Sequence, residues 1–301
     1  MKSLEQVWAR WMTNGVMACV VVAGVWMSIA AVTPYAQANR PLQRMAVNGG
    51  ELEYEVNGTG EPVLLIHGTG VAATFAPTMT QPSLSAYRLI RFHRRGFAGS
   101  SRSPVPFSMK DQAADALALL KGLGVSRAHI VGHSFGGMVT LQLALDAPAT
   151  ARSLVVMEPP VFNPDGPSPF AKLEALYTSG DKLGAMSAFS QASYGSDWRT
   201  LAARVPGGPP QVEKDVDTVF QSEAPAMTKW RFGAEEGARI TQPIIYLTGG
   251  GRHGASRERL QMWIRGMEQF VIPNTTHAML MEDPRAVAEA IAAFIKRHPL
   301  K

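Results

Sequence analysis

The pentapeptide Gly132-His133-Ser134-Phe135-Gly136 constrains this chain more than any other feature. It stands between a short apolar run, Ala128–Val131, and an apolar stretch of helical character, Phe135–Leu145. A G-x-S-x-G element in the turn from a buried strand to a helix bends the backbone sharply. Side chains two positions to either side of the serine would collide with neighbouring backbone, which explains the glycines. The serine is raised above the strand ends, at a helix N-terminus whose dipole favours developing negative charge. Such a turn requires a sheet beneath it and a helix behind it.

The flanking sequence supplies both. Val63–Ile66, Tyr87–Phe92, His129–Val131, Leu154–Met157, Ile244–Leu247 and Phe270–Ile272 are short, predominantly apolar runs, suited to strands buried on both faces of a parallel sheet. Arg44–Val47 and Glu51–Val56 alternate around Asn48-Gly49-Gly50, a hairpin signal. Helical patterns fall between the runs: Ser108 caps a stretch through Leu123, Ser256–Met267 follows Leu247, and Pro284–Arg297 ends the chain with proline in its first turn. The alternation predicts an α/β chain with a doubly wound, mostly parallel sheet and right-handed crossovers. Residues 159–237 break it. They hold helical segments at Phe170–Tyr177, Lys182–Ser193 and Val212–Glu223 and a Pro/Gly break at Pro206–Pro210, but no buried strand. This predicts a core of residues 39–158 and 238–301, with a helical cap inserted between two late strands above their carboxyl ends.

The first 38 residues read as a leader. Lys2 and Arg10 flank a polar start, Val16–Val32 is nearly all apolar, and Ala36-Gln37-Ala38 has the small-x-small spacing of a cleavage site. The expectation is an exported protein, periplasmic or secreted, with membrane anchoring as the alternative if the leader is retained. Cys19, the single cysteine, lies in that leader, so a mature chain has no disulfide and depends on its core. A formal charge of +5 without a Lys/Arg run argues against a nucleic-acid partner. Gly249-Gly250-Gly251 follows a strand but lacks the Lys-Ser/Thr of a phosphate-binding loop, and no metal-ligand cluster is present. No cofactor and no metal are expected.

The order of a strand into His67-Gly68, then Arg94-Arg95-Gly96-Phe97-Ala98-Gly99-Ser100, then Gly132–Gly136, then Thr276-His277 resembles the α/β-hydrolase superfamily, from about residue 42 to the end. Ser134 would be the nucleophile. A serine hydroxyl needs a base within hydrogen-bond reach, and the resemblance places that base in the loop after the last strand, at His277. His67, His129, His133 and His298 take structural readings. The oxyanion donors are expected at the backbone N–H of Phe135 and, by the resemblance, of Thr69. Most of the superfamily carries an aspartate after the strand that here reads Ile244–Leu247, but this chain continues Thr248-Gly249-Gly250. Leu154–Met157 instead runs into Glu158. Certain haloalkane dehalogenases, zearalenone-type lactonases and epoxide hydrolases look similar in placing the acid there. Glu158 is therefore the candidate third member, with Asp165 in reserve. His93 stands where the related loop commonly has aspartate.

These residues imply two-step acyl transfer on a hydrophobic ester or lactone, the cap setting substrate choice. C–C hydrolysis, perhydrolysis and cofactor-free oxygenation on the same scaffold remain open, as does a non-catalytic ligand-binding protein.

Overall fold

The computed structural model describes residues 42–103, 106–163, 166–250 and 254–300. The expected leader, Cys19 and the reserve carboxylate Asp165 lie outside them. The described chain forms an open eight-stranded sheet in the order β1-β2-β4-β3-β5-β6-β7-β8. The strands are β1 (Gln43–Val47), β2 (Gly50–Asn57), β3 (Glu61–Ile66), β4 (Tyr87–Phe92), β5 (Ala128–His133), β6 (Ala151–Met157), β7 (Ile244–Thr248) and β8 (Glu268–Val271). The first two pair antiparallel, joined by a tight turn in which Asn48 and Gly49 take φ of 38° and 79°, the positive-φ pair that Asn-Gly supplies at low steric cost. β2 pairs antiparallel with β4, and from β4 to β8 every pairing is parallel.

Alternation along these strands feeds two cores, which is why the runs read as continuously apolar. Leu64, Ile66, Ile130, Leu154 and Val156 face one cluster. Val63, Leu65, Val131, Val155 and Met157 face the other. The described helices are α1 (Ala76–Met79), α2 (Met109–Gly122), α3 (Phe135–Asp146), α4 (Ala171–Thr178), α5 (Lys182–Tyr194), α6 (Trp198–Ala202), α7 (Gly208–Thr218), α8 (Ala224–Lys229), α9 (Ala234–Ala238), α10 (Gly254–Trp263), α11 (Met279–Glu282) and α12 (Pro284–Lys296). α2 and α3 cover the first face, and α12 covers the second through Val287, Ile291 and Phe294. α2 starts on a capping box in which Ser108 Oγ accepts from the Asp111 N–H and Asp111 accepts from the Ser108 N–H.

From α4 to α9 the described chain between β6 and β7 is helical. The single helix predicted at Val212–Glu223 is instead α7 followed by a π-turn over Val219–Glu223 that leads into α8. Pro225 explains the difference: it cannot donate to the carbonyl four residues back and its ring crowds that carbonyl. The ladder widens upstream, where the Ala224 N–H reaches Val219 O, five residues back. This insertion is fastened to the loop after β4. Asp215 of α7 accepts the Ala98 N–H at 2.7 Å and pairs with Arg102, and Thr218 Oγ1 donates to Gly96 O at 2.7 Å.

Candidate active site

Ser134 sits between β5 and α3 with φ 52° and ψ −120°, a conformation costly for any residue with a Cβ. What holds it there is on both sides. Its N–H donates to Met157 O at 2.7 Å, tying the turn to the end of β6. A Cβ on Gly136 would lie 2.0 Å from Ile66 O, and one on Gly132 would lie 2.2 Å from Gly136 O. Both glycines are therefore steric requirements of the turn. The neighbouring His133 braces the next element: its Nε2 donates to His277 O at 2.9 Å, and the two rings lie 4.6 Å apart.

His277 and Glu158, 119 residues apart in sequence, meet. His277 Nδ1 donates to Glu158 Oε2 at 2.5 Å, with both side chains buried. Glu158 follows β6 directly and takes a φ of 46°. Its other oxygen accepts from Thr248 Oγ1 at 2.6 Å and from the Gly249 N–H at 3.0 Å. The position after β7, which carries no carboxylate, thus supplies two donors to the carboxylate that follows β6. Held on both oxygens, the buried carboxylate aims the imidazole. Nδ1 is committed to Glu158, which leaves Nε2 as the ring nitrogen able to serve a hydroxyl.

Thr69 is buried two residues after His67, and its carbonyl accepts from Tyr194 Oη at 3.5 Å. His67 reads structurally, as expected: its Nδ1 donates to Gly68 O at 2.7 Å and its Nε2 accepts the Arg94 N–H at 2.9 Å. Burial first, then the Arg94 charge, hold its pKa well below the ordinary histidine value, so it is a neutral brace. Phe135 contributes the first N–H of α3, a group with no acceptor within its own helix.

Sequence reasoning missed several neighbours. Arg94, fully buried, donates through Nε to His67 O and through Nη2 to Gly68 O, and pairs with the equally buried Glu223 of the π-turn. Burial lowers the Arg94 pKa and raises that of Glu223, while each partner opposes the shift of the other. The Thr69 hydroxyl favours the charged form of Glu223, although Thr69 Oγ1 and Glu223 Oε2 stop short of a hydrogen bond. Breaking such a pair from one side costs about 3–5 kcal/mol. Tyr194 of α5 covers His277 with its ring 4.9 Å away, and burial pushes its phenol pKa far up, so it stays protonated. The unusual His93 also finds its place. Glu53, across the sheet on β2, accepts from His93 Nδ1 at 2.7 Å and from the Gly99 N–H at 3.0 Å, so the loop keeps a carboxylate, donated by another strand. A cleft of about 610 Å³ lies beside Ser108, Gln142 and Trp230, and neither Ser134 nor His277 lines it. The group around Ser134 lies covered by α5 in this conformation, with Ser134 8% and His277 5% exposed.

Sheet order, elbow and histidine loop together define an α/β hydrolase, and the sequence comparison agrees: residues 63–290 match the alpha/beta hydrolase family, to which the chain belongs. Among curated relatives, the provisionally named carbamate hydrolase RutD of Azorhizobium caulinodans is 35% identical over 107 residues, 36% of this chain and 40% of that protein. The provisionally named non-heme bromoperoxidase BpoC of Mycobacterium tuberculosis is 36% identical over 135 residues, 44% of this chain and 51% of that protein. The chain thus spans about half or less of the length of these relatives. The enol-lactonase from Burkholderia xenovorans shares the fold, with a TM-score of 0.70 at 19% identity over 84% of this chain and 100% of that one.

Proposed function

We propose that this chain is a serine hydrolase that cleaves a carboxylic ester or lactone through an acyl-enzyme on Ser134. The observation that carries the reading is the buried Glu158–His277 hydrogen bond of 2.5 Å, with Glu158 held in turn by Thr248 and Gly249. In this reading His277 Nε2 takes the Ser134 proton as Oγ attacks the carbonyl carbon, and the Thr69 and Phe135 N–H groups hold the oxyanion. His277 then gives the proton to the departing alkoxide. Water repeats the sequence on the acyl-enzyme and restores Ser134, while Glu158 fixes the imidazole tautomer and stabilises the imidazolium. The apolar face of α5, with Met186, Phe189 and Tyr194 buried against the core, suits a hydrophobic substrate. Perhydrolysis is the second reading, favoured by the bromoperoxidase relative, and uses the same serine with peroxide in place of water.

A p-nitrophenyl ester series, run beside a fluorophosphonate probe with mass mapping of the adduct, tests both. Ester turnover with the adduct on Ser134 supports the proposal. Absence of both in folded protein points to a binding protein, and bromination that appears only with peroxide and a carboxylate favours the second reading. Export is part of the same proposal, and mass spectrometry of the mature chain is expected to find Asn39 at its start.

A further inference from the structure

Arg94 touches both arms of the proposed oxyanion pocket. Its Nη2 donates to Gly68 O at 3.0 Å and its Nε to His67 O at 2.9 Å. The Gly68 carbonyl and the Thr69 N–H belong to one peptide unit. A charge-assisted hydrogen bond at the oxygen end polarises that unit and makes its N–H a stronger donor. On the other arm the guanidinium carbon lies 4.4 Å from the centre of the Phe135 ring, and 4.9 Å from that of Phe97. One cation thus packs against the residue that carries the second N–H and grips the strand-end carbonyls that precede the first. Its counter-charge comes from elsewhere in the fold: Glu223 belongs to the π-turn that Pro225 imposes on the helical insertion, 129 residues away.

Stability alone is a weak reason for such a pair. Desolvating two charges consumes most of what their attraction returns, and apolar replacements of similar volume are often neutral or stabilising. Besides the fully buried Phe97 and Phe135 rings, the guanidinium meets the His67 and Gly68 carbonyls and, at 3.4 Å, Gln112 Oε1, so what the cation adds to the packing is its hold on those acceptors.

We infer that Arg94 is a positioning residue for acyl transfer: it orients and polarises the Thr69 and Phe135 donors, and through Glu223 it makes their arrangement depend on the seated cap. The inference rests on the serine-hydrolase reading above. It assigns Arg94 no contact with substrate, so its effect belongs to the transition state, where negative charge sits on the oxyanion, and not to ground-state binding.

The test is the charge-free double variant Arg94→Met/Glu223→Gln, which leaves no lone buried charge, assayed with the best p-nitrophenyl ester and with an alkyl boronic acid that forms a tetrahedral adduct on Ser134. The expected result is kcat lower by about 10–100-fold with KM within about two-fold, and boronate affinity weakened by the same factor. Arg94→Lys keeps the charge but cannot serve the His67 and Gly68 carbonyls together, and is expected to lose kcat in the same direction. It also covers the case in which the double variant fails to fold. A folded variant of either kind with wild-type kcat and boronate affinity overturns the role, as does a loss confined to KM or to melting temperature. Ser134→Ala runs alongside: full turnover in that variant would overturn the nucleophile assignment itself, whereas normal rates in the Arg94 variants alone would overturn only this inference.

Discussion

The sheet carries two sets of serine, histidine and carboxylate, one at each end of its strands. At the carboxyl ends are Ser134, His277 and Glu158. At the amino ends, His129 of β5 has Nδ1 2.7 Å from Ser153 Oγ and Nε2 3.3 Å from Glu61 Oε2. The residue types match, yet their surroundings differ in every respect that matters for chemistry. Ser153 is a fully buried strand residue paired in register with His129, with ordinary extended backbone and no helix start behind it. Ser134 is forced to positive φ at the head of α3. Glu61 is partly exposed, with 38% of its side chain accessible, and also accepts the Leu300 N–H. Glu158 is buried and takes donors on both oxygens. The amino-end set is a cross-strand brace. What separates it from a candidate active site is backbone strain and a ring of donors, not the side chains themselves.

The largest contrast lies in the serines. Ser134→Ala is expected to lower ester turnover by at least about 10³-fold and to abolish fluorophosphonate labelling, because the proposed acyl-enzyme forms on its hydroxyl. Ser153→Ala should leave kcat within about two-fold and cost roughly 1 kcal/mol of stability, since it strands the His129 hydrogen bond. Comparable losses of rate in the two variants would break the distinction. The carboxylates come next. Glu158→Gln preserves shape but lets the amide donate where it must accept, favouring the wrong imidazole tautomer, and a fall in kcat of about 10²–10⁴-fold is expected. Glu61→Gln, read in the same assay, should do nothing measurable to rate.

Backbone strain is tested separately by Gly136→Ala. The added methyl would start 2.0 Å from Ile66 O, a backbone atom that cannot rotate aside. The turn must open, and a loss of about 3–5 kcal/mol is expected, a size reserved for a few mechanisms of which strain at a fixed backbone is one. A brace residue should not behave this way, and a wild-type melting temperature for Gly136→Ala would show that the elbow is not the constraint the geometry indicates.

Local patterns made part of this legible in the sequence. The elbow announces itself because strand, glycines, serine and helix are contiguous, and α2 does so through Ser108. Glu158 is legible through the resemblance, which implies an acid after one of two neighbouring strands, and here Leu154–Met157 runs into a carboxylate while Ile244–Leu247 is followed by none. What joins distant segments was silent. Nothing in Thr248-Gly249 announces two donors waiting for a glutamate on the next strand. His93 looked anomalous until Glu53 on β2 supplied its partner. Arg94 opens a segment that carries the resemblance but no assigned role, and Glu223 reads as one acid at the end of a helical segment, so their pairing needed the fold. The π-turn was missed because one proline, Pro225, changes hydrogen bonds several residues before it. The interactions that give the candidate site its charge balance are long-range, and periodicity carries no information about them.

The smallest expected effect concerns how each end of the sheet answers acid. His129 is held below the ordinary value of 6.5, chiefly by burial, with Glu61 pulling the other way, and His67 is held lower still by burial and the Arg94 charge. The folded protein therefore keeps both rings neutral at a pH where the unfolded chain already binds protons. Stability follows the excess of protons on the unfolded state, so it is fully present above about 6.5 and declines as pH falls through that value. Melting curves from pH 7.5 to 5.5 should show this decline, and His129→Gln should flatten part of it while leaving ester turnover unchanged. The difference in slope should amount to a few degrees at most, since ~2–4 °C accompanies each kcal/mol in a domain of this size and His67 carries the deeper shift. An unchanged slope would mean that Glu61 and Ser153 accommodate a charged His129 in the folded state. The amino-end set would then be able to hold an imidazolium as the carboxyl-end set is proposed to do, and the difference between the two would reduce to the strain and exposure of the serine alone.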